Sequence, residues 1–403
     1  MHKRILFLTP QVPYPPQQGT ALRNFNLIAQ VARRHEVHLL SFQEAHRGAD
    51  DLEPLRRLCT SLETVPAPAR SNFRRVLGLV TSQSPDIAHR LASAAFWRKL
   101  SSMVQTVRPD VLQIEGLEMA GYGMQARRLD APWIAFDAHN AEYLLQKRIF
   151  ETDARHPGRW LGALYSLVQW RKLLRYEAQA CRGADRVIAC SGADARALIR
   201  LAPGLTPVVV PNGVDTQFYR PGVVAPAALI GRPLVFTGKM DFRPNVDAVL
   251  WFCSQALPLI RDKIPEAHLY VVGKHPHPRL EPLAHTAGVT LTGFVEDVRP
   301  FIAAADVFVA PLLTGGGTRL KVLEAMAMGK PIVSTTLGAE GIRVASGREV
   351  QLADRADDFA AQAIALLEDA ERRNALGRSA RAFVEQYCDW QTVAAPLDQA
   401  YER

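Results

Sequence analysis

Apolar residues along this chain gather in short runs separated by longer amphipathic stretches, and that alternation sets the expected architecture. Runs of strand type occur at Ile5 to Leu8, Val37 to Ser41, Val111 to Ile114, Trp133 to Phe136 and Val187 to Cys190. A second series follows at Leu234 to Phe236, Leu269 to Val272, Val289 to Leu291, Val307 to Val309 and Ile332 to Ser334. Near-continuous apolar runs alternating with segments of helical period belong to strands covered by helices on both faces of a parallel sheet. Two such series predict two doubly wound, Rossmann-like α/β domains. Turn residues flank a β-branched run in LAPGLTPVVVPNGV, Leu201 to Val214, and mark the join, giving expected domains of 1–205 and 206–387. The tail from Ala382 reads as helix, a break at Cys388-Asp389-Trp390, then another helix.

The densest local instructions lie in DVFVAPLLTGGGTRLKVLEAMAMGKPIVSTTLG, Asp306 to Gly338. A short strand ends at Pro311, and Gly315, Gly316 and Gly317 let backbone amides approach a ligand. Leu320, Leu323, Ala327 and Met328 recur at helical spacing until Gly329 and Pro331 stop the run. This is a βαβ unit with its glycines at the strand-to-helix turn, where free N–H groups and a partial positive charge favour phosphate. Thr318, Arg319 and Lys321 add a hydroxyl and two cations, and Glu324 is spaced to meet a ribose diol. The spacing is not that of a P-loop and gives no support to Walker-type hydrolysis.

Ligands of open parallel sheets gather at strand carboxyl ends, which singles out three places in the first half. The loop TPQVPYPPQQGTALRN offers Gly19 for backbone access and Arg23 in the helix behind it. Glu115 ends the third run, where it either orients an acceptor hydroxyl or caps the next helix. In FDAHNAEY, Asp137 and His139 are two apart and point the same way from an extended strand end, with Asn140 beside them.

The segment TRLKVLEAMAMGKPIVST closely resembles the donor-binding segment of the family-4 retaining glycosyltransferases. PNGVDTQFY, GFVEDV and ADRVIACSGADARAL resemble further segments of that family. The resemblance covers nearly the whole chain and is weakest over 45–105. It implies the GT-B fold: two Rossmann-like domains facing across a cleft, an acceptor-side domain at 1–205 with helix 388–403 crossing back onto it, and a nucleotide-sugar domain at 206–387. It further implies transfer of a sugar from a nucleotide-diphosphate donor to an acceptor hydroxyl, with retention and without metal or other cofactor. The family's two glutamates sit eight positions apart; Glu324 matches the ribose-binding second, while the first falls on Gly316. Lys239 stands where many relatives have arginine and Pro244 where they have lysine, leaving Lys239, Arg243, Arg319 and Lys321 as cations for the diphosphate. By the same resemblance Gly19, the three glycines, Thr318 and Leu320 belong to the donor site, and Val295 holds the base through its main chain. His139 meets the donor sugar or the acceptor, with Arg23, Glu115, Asp137 and Asn140 on the acceptor side. The GGGTRLK variant resembles bacterial enzymes of exopolysaccharide assembly. A nucleotide-sugar-binding relative without turnover and a GT-B sugar-nucleotide epimerase are the competing readings.

Composition adds three constraints. With 403 residues, 48% hydrophobic and 22% charged, the chain can fill two cores. No apolar run approaches the roughly 18 to 20 residues of a spanning helix, and Met1 to Arg4 lead directly into a strand, so a cytoplasmic protein is expected, peripheral on the inner face of the plasma membrane. The five scattered cysteines fit buried thiols, and His275-Pro-His277-Pro lacks the helical face and carboxylates of a metal site. Lysine plus arginine exceed aspartate plus glutamate by 28 to 18 over residues 1–210 (+10), against 20 to 22 over the remainder (−2), which sum to the net +8. A basic first half without a nucleic-acid motif points away from DNA or RNA and toward a membrane surface or a polyprenyl-linked or glycan acceptor, or else serves solubility alone. Residues 143–181, rich in arginine and aromatics including Arg148, Arg159, Trp160, Trp170, Arg171, Lys172 and Arg175, either lie on such a surface or cover the domain.

Overall fold

The computed structural model describes residues 2–16, 19–44, 52–69, 82–129, 132–155, 158, 160–315 and 318–402. The chain divides into two compact units, Met1–Pro211 with Ala394–Arg403, and Asn212–Val393, a division that falls inside the Leu201 to Val214 stretch.

The first unit contains β1 (Arg4–Thr9), β2 (Glu36–Gln43), β3 (Ser61–Pro66), β4 (Val111–Glu115), β5 (Trp133–Ala138), β6 (Arg186–Ala189) and β7 (Val208–Val209). They form one parallel sheet in the order β3-β2-β1-β4-β5-β6-β7. The central strands are buried because RILFLT and VLQIE present side chains to helices on both faces. Helix Gly19–Val31 buries Ala21, Leu27, Ile28 and Val31, and with them Arg23 and Asn24. Helix Ala94–Val107, capped by the Ser93 hydroxyl, stacks Phe96 on Phe42 with ring centroids 4.2 Å apart. The stretch 143–181 is two helices, Glu142–Ala154 and Trp160–Gly183, and Arg159 lies outside the described residues. The C-terminal segment packs into this unit: Trp133 Nε1 donates to the Ala400 carbonyl at 2.8 Å, and Tyr401 is fully buried.

The second unit contains β8 (Arg232–Thr237), β9 (Ala267–Val272), β10 (Val289–Gly293), β11 (Val307–Ala310), β12 (Ile332–Ser334) and β13 (Gln351–Leu352), again all parallel, in the order β10-β9-β8-β11-β12-β13. Helix Leu320–Ala327 joins β11 to β12 as expected, and Gly329 at φ +67° ends it. Helix Ala370–Tyr387 breaks at Cys388, whose carbonyl accepts from Val214 N at 2.9 Å, before the short helix Trp390–Val393. No helix among the described residues is long and apolar enough to cross a membrane.

Each sheet has one place where the chain reverses its direction of winding. It lies between β1 and β4 in the first unit and between β8 and β11 in the second. Crossovers on either side of such a point leave in opposite directions and open a crevice at the strand carboxyl ends.

Candidate functional site

In the second unit the switch-point crevice is built by Thr237-Gly238-Lys239 after β8 and Thr314-Gly315 after β11. Gly316 and Gly317 lie outside the described residues. Gly315 holds φ +107°, and a Cβ there would come within 3.0 Å of the Arg319 guanidinium, so glycine admits both the turn and the side chain. Arg319 is buried and reaches the Thr314 carbonyl at 3.5 Å. Lys321 Nζ donates to Asn245 Oδ1 at 2.8 Å and sits 3.9 Å from the centre of the Phe236 ring. Burial, reinforced by Arg319 and opposed by Glu324, pulls the Lys321 pKa down to about 7. Glu324, one turn along the same helix face, is pushed up to about 6 by burial, against the Tyr219 hydroxyl and Lys321. A lysine with a lowered pKa and a carboxylate with a hydroxyl partner thus share one end of the sheet.

The two further cations expected at the diphosphate, Lys239 and Arg243, are solvent-facing. Lys239 Nζ lies 3.3 Å from Asp241, and Arg243 opens helix Arg243–Trp251 with its Nε 3.5 Å from Asp247. Asn245 Nδ2 returns to the Lys239 carbonyl at 2.9 Å, tying that turn to Lys321. Thr318 and Leu320 are half-buried on either side of Arg319. Val295 packs against the core beside exposed Phe294, while Asp297 accepts from Arg299 N at 2.9 Å just ahead of helix Arg299–Ala304.

In the first unit Glu115 and Asp137 are register partners at the ends of β4 and β5, both fully buried. Arg23 clamps Asp137 with two bonds, Nε to Oδ2 at 2.9 Å and Nη2 to Oδ1 at 3.0 Å, and a third reaches the Val210 carbonyl at 3.0 Å. Burial opposes both charges and pushes the Asp137 carboxyl up to about 6, while this bidentate contact with the Arg23 guanidinium acts against the rise. His139 Nε2 meets Glu115 Oε2 at 2.9 Å, and Gln113 Nε2 donates to Oε1 at 2.6 Å. The orientation of the Asn24 amide that satisfies both its ends puts its nitrogen 2.8 Å from Glu115 Oε2. Tyr401 donates its hydroxyl to Gln113 Oε1, which closes a buried chain from the C-terminal segment to His139. Burial acts against the imidazolium, but Glu115 and Asp137 outweigh it and raise the His139 pKa. Only His139, 13% exposed, and half-buried Asn140 bring this cluster to the surface of the unit.

Ligand atoms of Glu115, Asp137 and His139 lie within 4.8 Å of one another, a separation suited to a cation. Arg23 holds Asp137 and His139 meets Glu115, so both carboxylates already have side-chain partners. Gly19 is exposed at the start of its helix. His277 accepts from Arg279 N through Nδ1, an ordinary cap. The residues that position the sites without being named as site residues from the sequence are Tyr219, Asn245, Gln113, Asn24 and Tyr401. Glu177 joins them, because its two oxygens accept from Glu142 N and Tyr143 N at 2.9 Å and anchor the turn that carries His139. Apart from the Gln113 contact with Glu115 two residues on, these contacts form through tertiary folding, so local sequence held no signal beyond the residue type.

Residues 18–218 match a family model described as Glycosyltransferase Family 4, and residues 231–369 one described as Glycosyl transferases group 1. The chain is 33% identical over 213 residues to a phosphatidyl-myo-inositol mannosyltransferase of Mycolicibacterium smegmatis, covering 50% of this chain and 53% of that protein. It is 33% identical over 210 residues to a GDP-mannose-dependent alpha-(1-6)-phosphatidylinositol monomannoside mannosyltransferase of Mycobacterium tuberculosis, covering 47% and 54%. The chain thus spans about half the length of the curated relatives it matches. Among solved structures it is similar to Anabaena HepE in complex with UDP and glucose, with TM-score 0.67 and 18% identity over 99% of both chains. A sucrose-phosphate synthase from Thermosynechococcus elongatus matches with TM-score 0.73 and 16% identity over 99% and 98%. At these identities the likeness establishes the fold, that of the GT-B glycosyltransferases.

Proposed function

We propose that this chain, a family-4-like protein of GT-B fold, moves a sugar from a nucleoside-diphosphate donor to an acceptor hydroxyl with retention at the anomeric carbon. The observation that carries the reading is the pairing of Lys321 with Glu324 at the second unit's switch point, a cation for a diphosphate one turn from a carboxylate for a ribose. Lys321 and Arg319, with Thr318 and the glycine-turn amides, neutralise the diphosphate as it leaves, and Lys239 and Arg243 add positive charge at the rim. Glu324, held by Tyr219, accepts from the ribose hydroxyls, and the main chain at Val295 meets the base. In the first unit His139 presents Nδ1 to the sugar or the acceptor while Glu115 holds Nε2, with Asn140 beside it.

The bond to the anomeric carbon breaks toward the leaving phosphate, the acceptor oxygen bonds that carbon on the same face, and the acceptor proton passes to the leaving phosphate oxygen. Glu115 is engaged by His139 and Asp137 by Arg23, which leaves both poorly placed to act as a nucleophile and supports this front-face route over double displacement. Lysine and arginine supply the charge a metal would otherwise provide, so transfer proceeds without one. The relatives named for GDP-mannose and the neighbour holding UDP support a nucleotide-linked hexose. The phosphatidylinositol acceptors in the relatives' names, with the +10 charge of residues 1–210, support a lipid-linked or glycan acceptor of cell-surface or exopolysaccharide synthesis at the inner membrane face.

Incubation of the chain with labelled nucleotide sugars and a lipid extract tests the reading. A glycoside with the donor's anomeric configuration is expected, at a rate unaffected by chelator. Release of an altered free sugar would point to an epimerase, and tight nucleotide binding without turnover to a binding protein; either outcome contradicts the transfer.

A further inference from the structure

The helix Trp160–Gly183 begins with its apolar residues turned outward. Trp160 is 70% exposed, Leu161 72% and Leu164 57%, whereas Ala163, Ser166, Gln169, Leu173 and Tyr176 face inward. At about 100° per residue, Trp160, Leu164, Arg171 and Arg175 fall within an arc of roughly 60°, with Leu161 beside it. Arg171 and Arg175 are exposed, and the helix's one carboxylate, Glu177, is buried in its capping role. The adjoining helix Glu142–Ala154 adds exposed Ile149 and Arg148, while its Glu151 is paired with Lys147 at 3.4 Å. The face is held from beneath, where Trp170 stacks on Phe150 and Lys147 lies over the Trp170 ring. Scattered exposed apolar residues need no explanation. Three large ones in two turns of a packed helix, running into arginines without an exposed acid, do.

We propose that this face docks on an anionic lipid bilayer, with Trp160, Leu161 and Leu164 entering the boundary between headgroups and acyl chains and Arg171 and Arg175 meeting lipid phosphates. The chemistry of the stripe is that of an interfacial helix, with an amphipathic indole and leucines for the boundary and guanidinium groups for phosphate. Charge complementarity names the occupant, because the excess of positive charge lies in residues 1–210. A second copy of the chain is disfavoured, since a two-fold interface would offer these arginines the same helix, whose one carboxylate is buried. Geometry also fixes the attitude. Arg171 lies ~16 Å along the axis from Trp160, whereas one interfacial layer is roughly 6 Å deep. An upright helix would lift the arginines clear of the headgroups, so the helix lies nearly flat. The proposal needs no sugar transfer and stands or falls apart from that reading.

Co-sedimentation of the full chain with phosphatidylcholine vesicles, with and without phosphatidylglycerol, tests it. Binding is expected only where phosphatidylglycerol is present and should weaken with salt. Trp160→Ser with Leu161→Ser should lower the partition coefficient by about tenfold or more, and Arg171→Glu or Arg175→Glu by at least about fivefold each. All four positions are exposed, so thermal midpoints should hold, and Trp160→Phe should retain binding. Absence of binding to the anionic vesicles, or equal binding by the serine and glutamate variants, would overturn the proposal. So would a Trp160-dependent dimer in sedimentation velocity without vesicle binding.

Discussion

Lys321 is a lysine whose pKa burial has brought to about 7, and a bound anion would restore its proton. The sign follows directly. As pH rises through about 7 the free protein loses this proton while the complex keeps it, so nucleoside diphosphate should bind less tightly at higher pH. Calorimetric titration at about pH 8 in two buffers of different ionisation enthalpy should reveal proton uptake approaching one per nucleotide, absent in Lys321→Met. Without ligand the same shift acts on folding: between about 7 and the ordinary lysine value the unfolded chain binds more protons, so stability rises with pH across that window. Glu324→Ala should weaken nucleotide binding by about 1 to 3 kcal/mol, the scale of a lost charged hydrogen bond. In the first unit Arg23→Ala leaves Asp137 buried without its clamp. It should cost about 3 to 5 kcal/mol in denaturant unfolding, and Arg23→Met with Asp137→Leu should recover much of that loss.

At the level of elements, the ends of β8 and β9 meet backbone to backbone. A Cβ on Gly273 would fall 1.7 Å from the Gly238 carbonyl oxygen, and one on Gly238 2.7 Å from Lys321 Nζ. Gly273→Ala should therefore lower the thermal midpoint and nucleotide affinity together, although Gly273 touches no proposed ligand. The C-terminal segment plays the matching part in the first unit. Tyr401→Phe removes the hydroxyl that orients Gln113 toward Glu115, and the His139 titration followed by NMR should move toward the ordinary histidine value. Central strands were legible because both faces are covered and the sequence must be apolar throughout. The missed ones, β3, β7 and β13, are sheet edges: SLETVP carries only Leu62 and Val65 as large apolar residues, and the other two are two residues long. Edge strands need no continuous apolar run, so short or polar ones escape periodicity, whereas the edge strand β10, with Val289 and Leu291, was legible.

Across the whole molecule, what sequence disclosed of the candidate sites was what a single strand-to-helix turn contains. Lys321 and Glu324 share one helix with the glycines before it, so their association was visible in a short segment. Asn245, 76 residues from Lys321, and Tyr401, 288 from Gln113, join only through folding. The same distinction explains the acceptor side. Arg23, Glu115 and Asp137 look like ligand-facing charges in sequence, but the fold brings them together and buries them, leaving His139 and Asn140 outward. Charge is divided at this scale too, with the excess in the first half and the donor site proposed for the nearly neutral second. The central claim is that the second unit's switch point grips a nucleoside diphosphate, and the thermal midpoint of the full chain titrated with nucleoside diphosphates and their sugars tests it most directly. The account predicts a rise that grows with concentration for one nucleotide, worth about 2.7 kcal/mol at a hundredfold excess over Kd, and diminished in Lys321→Ala and Glu324→Ala. A midpoint that stays flat across the panel, or a rise that both variants retain, would contradict it.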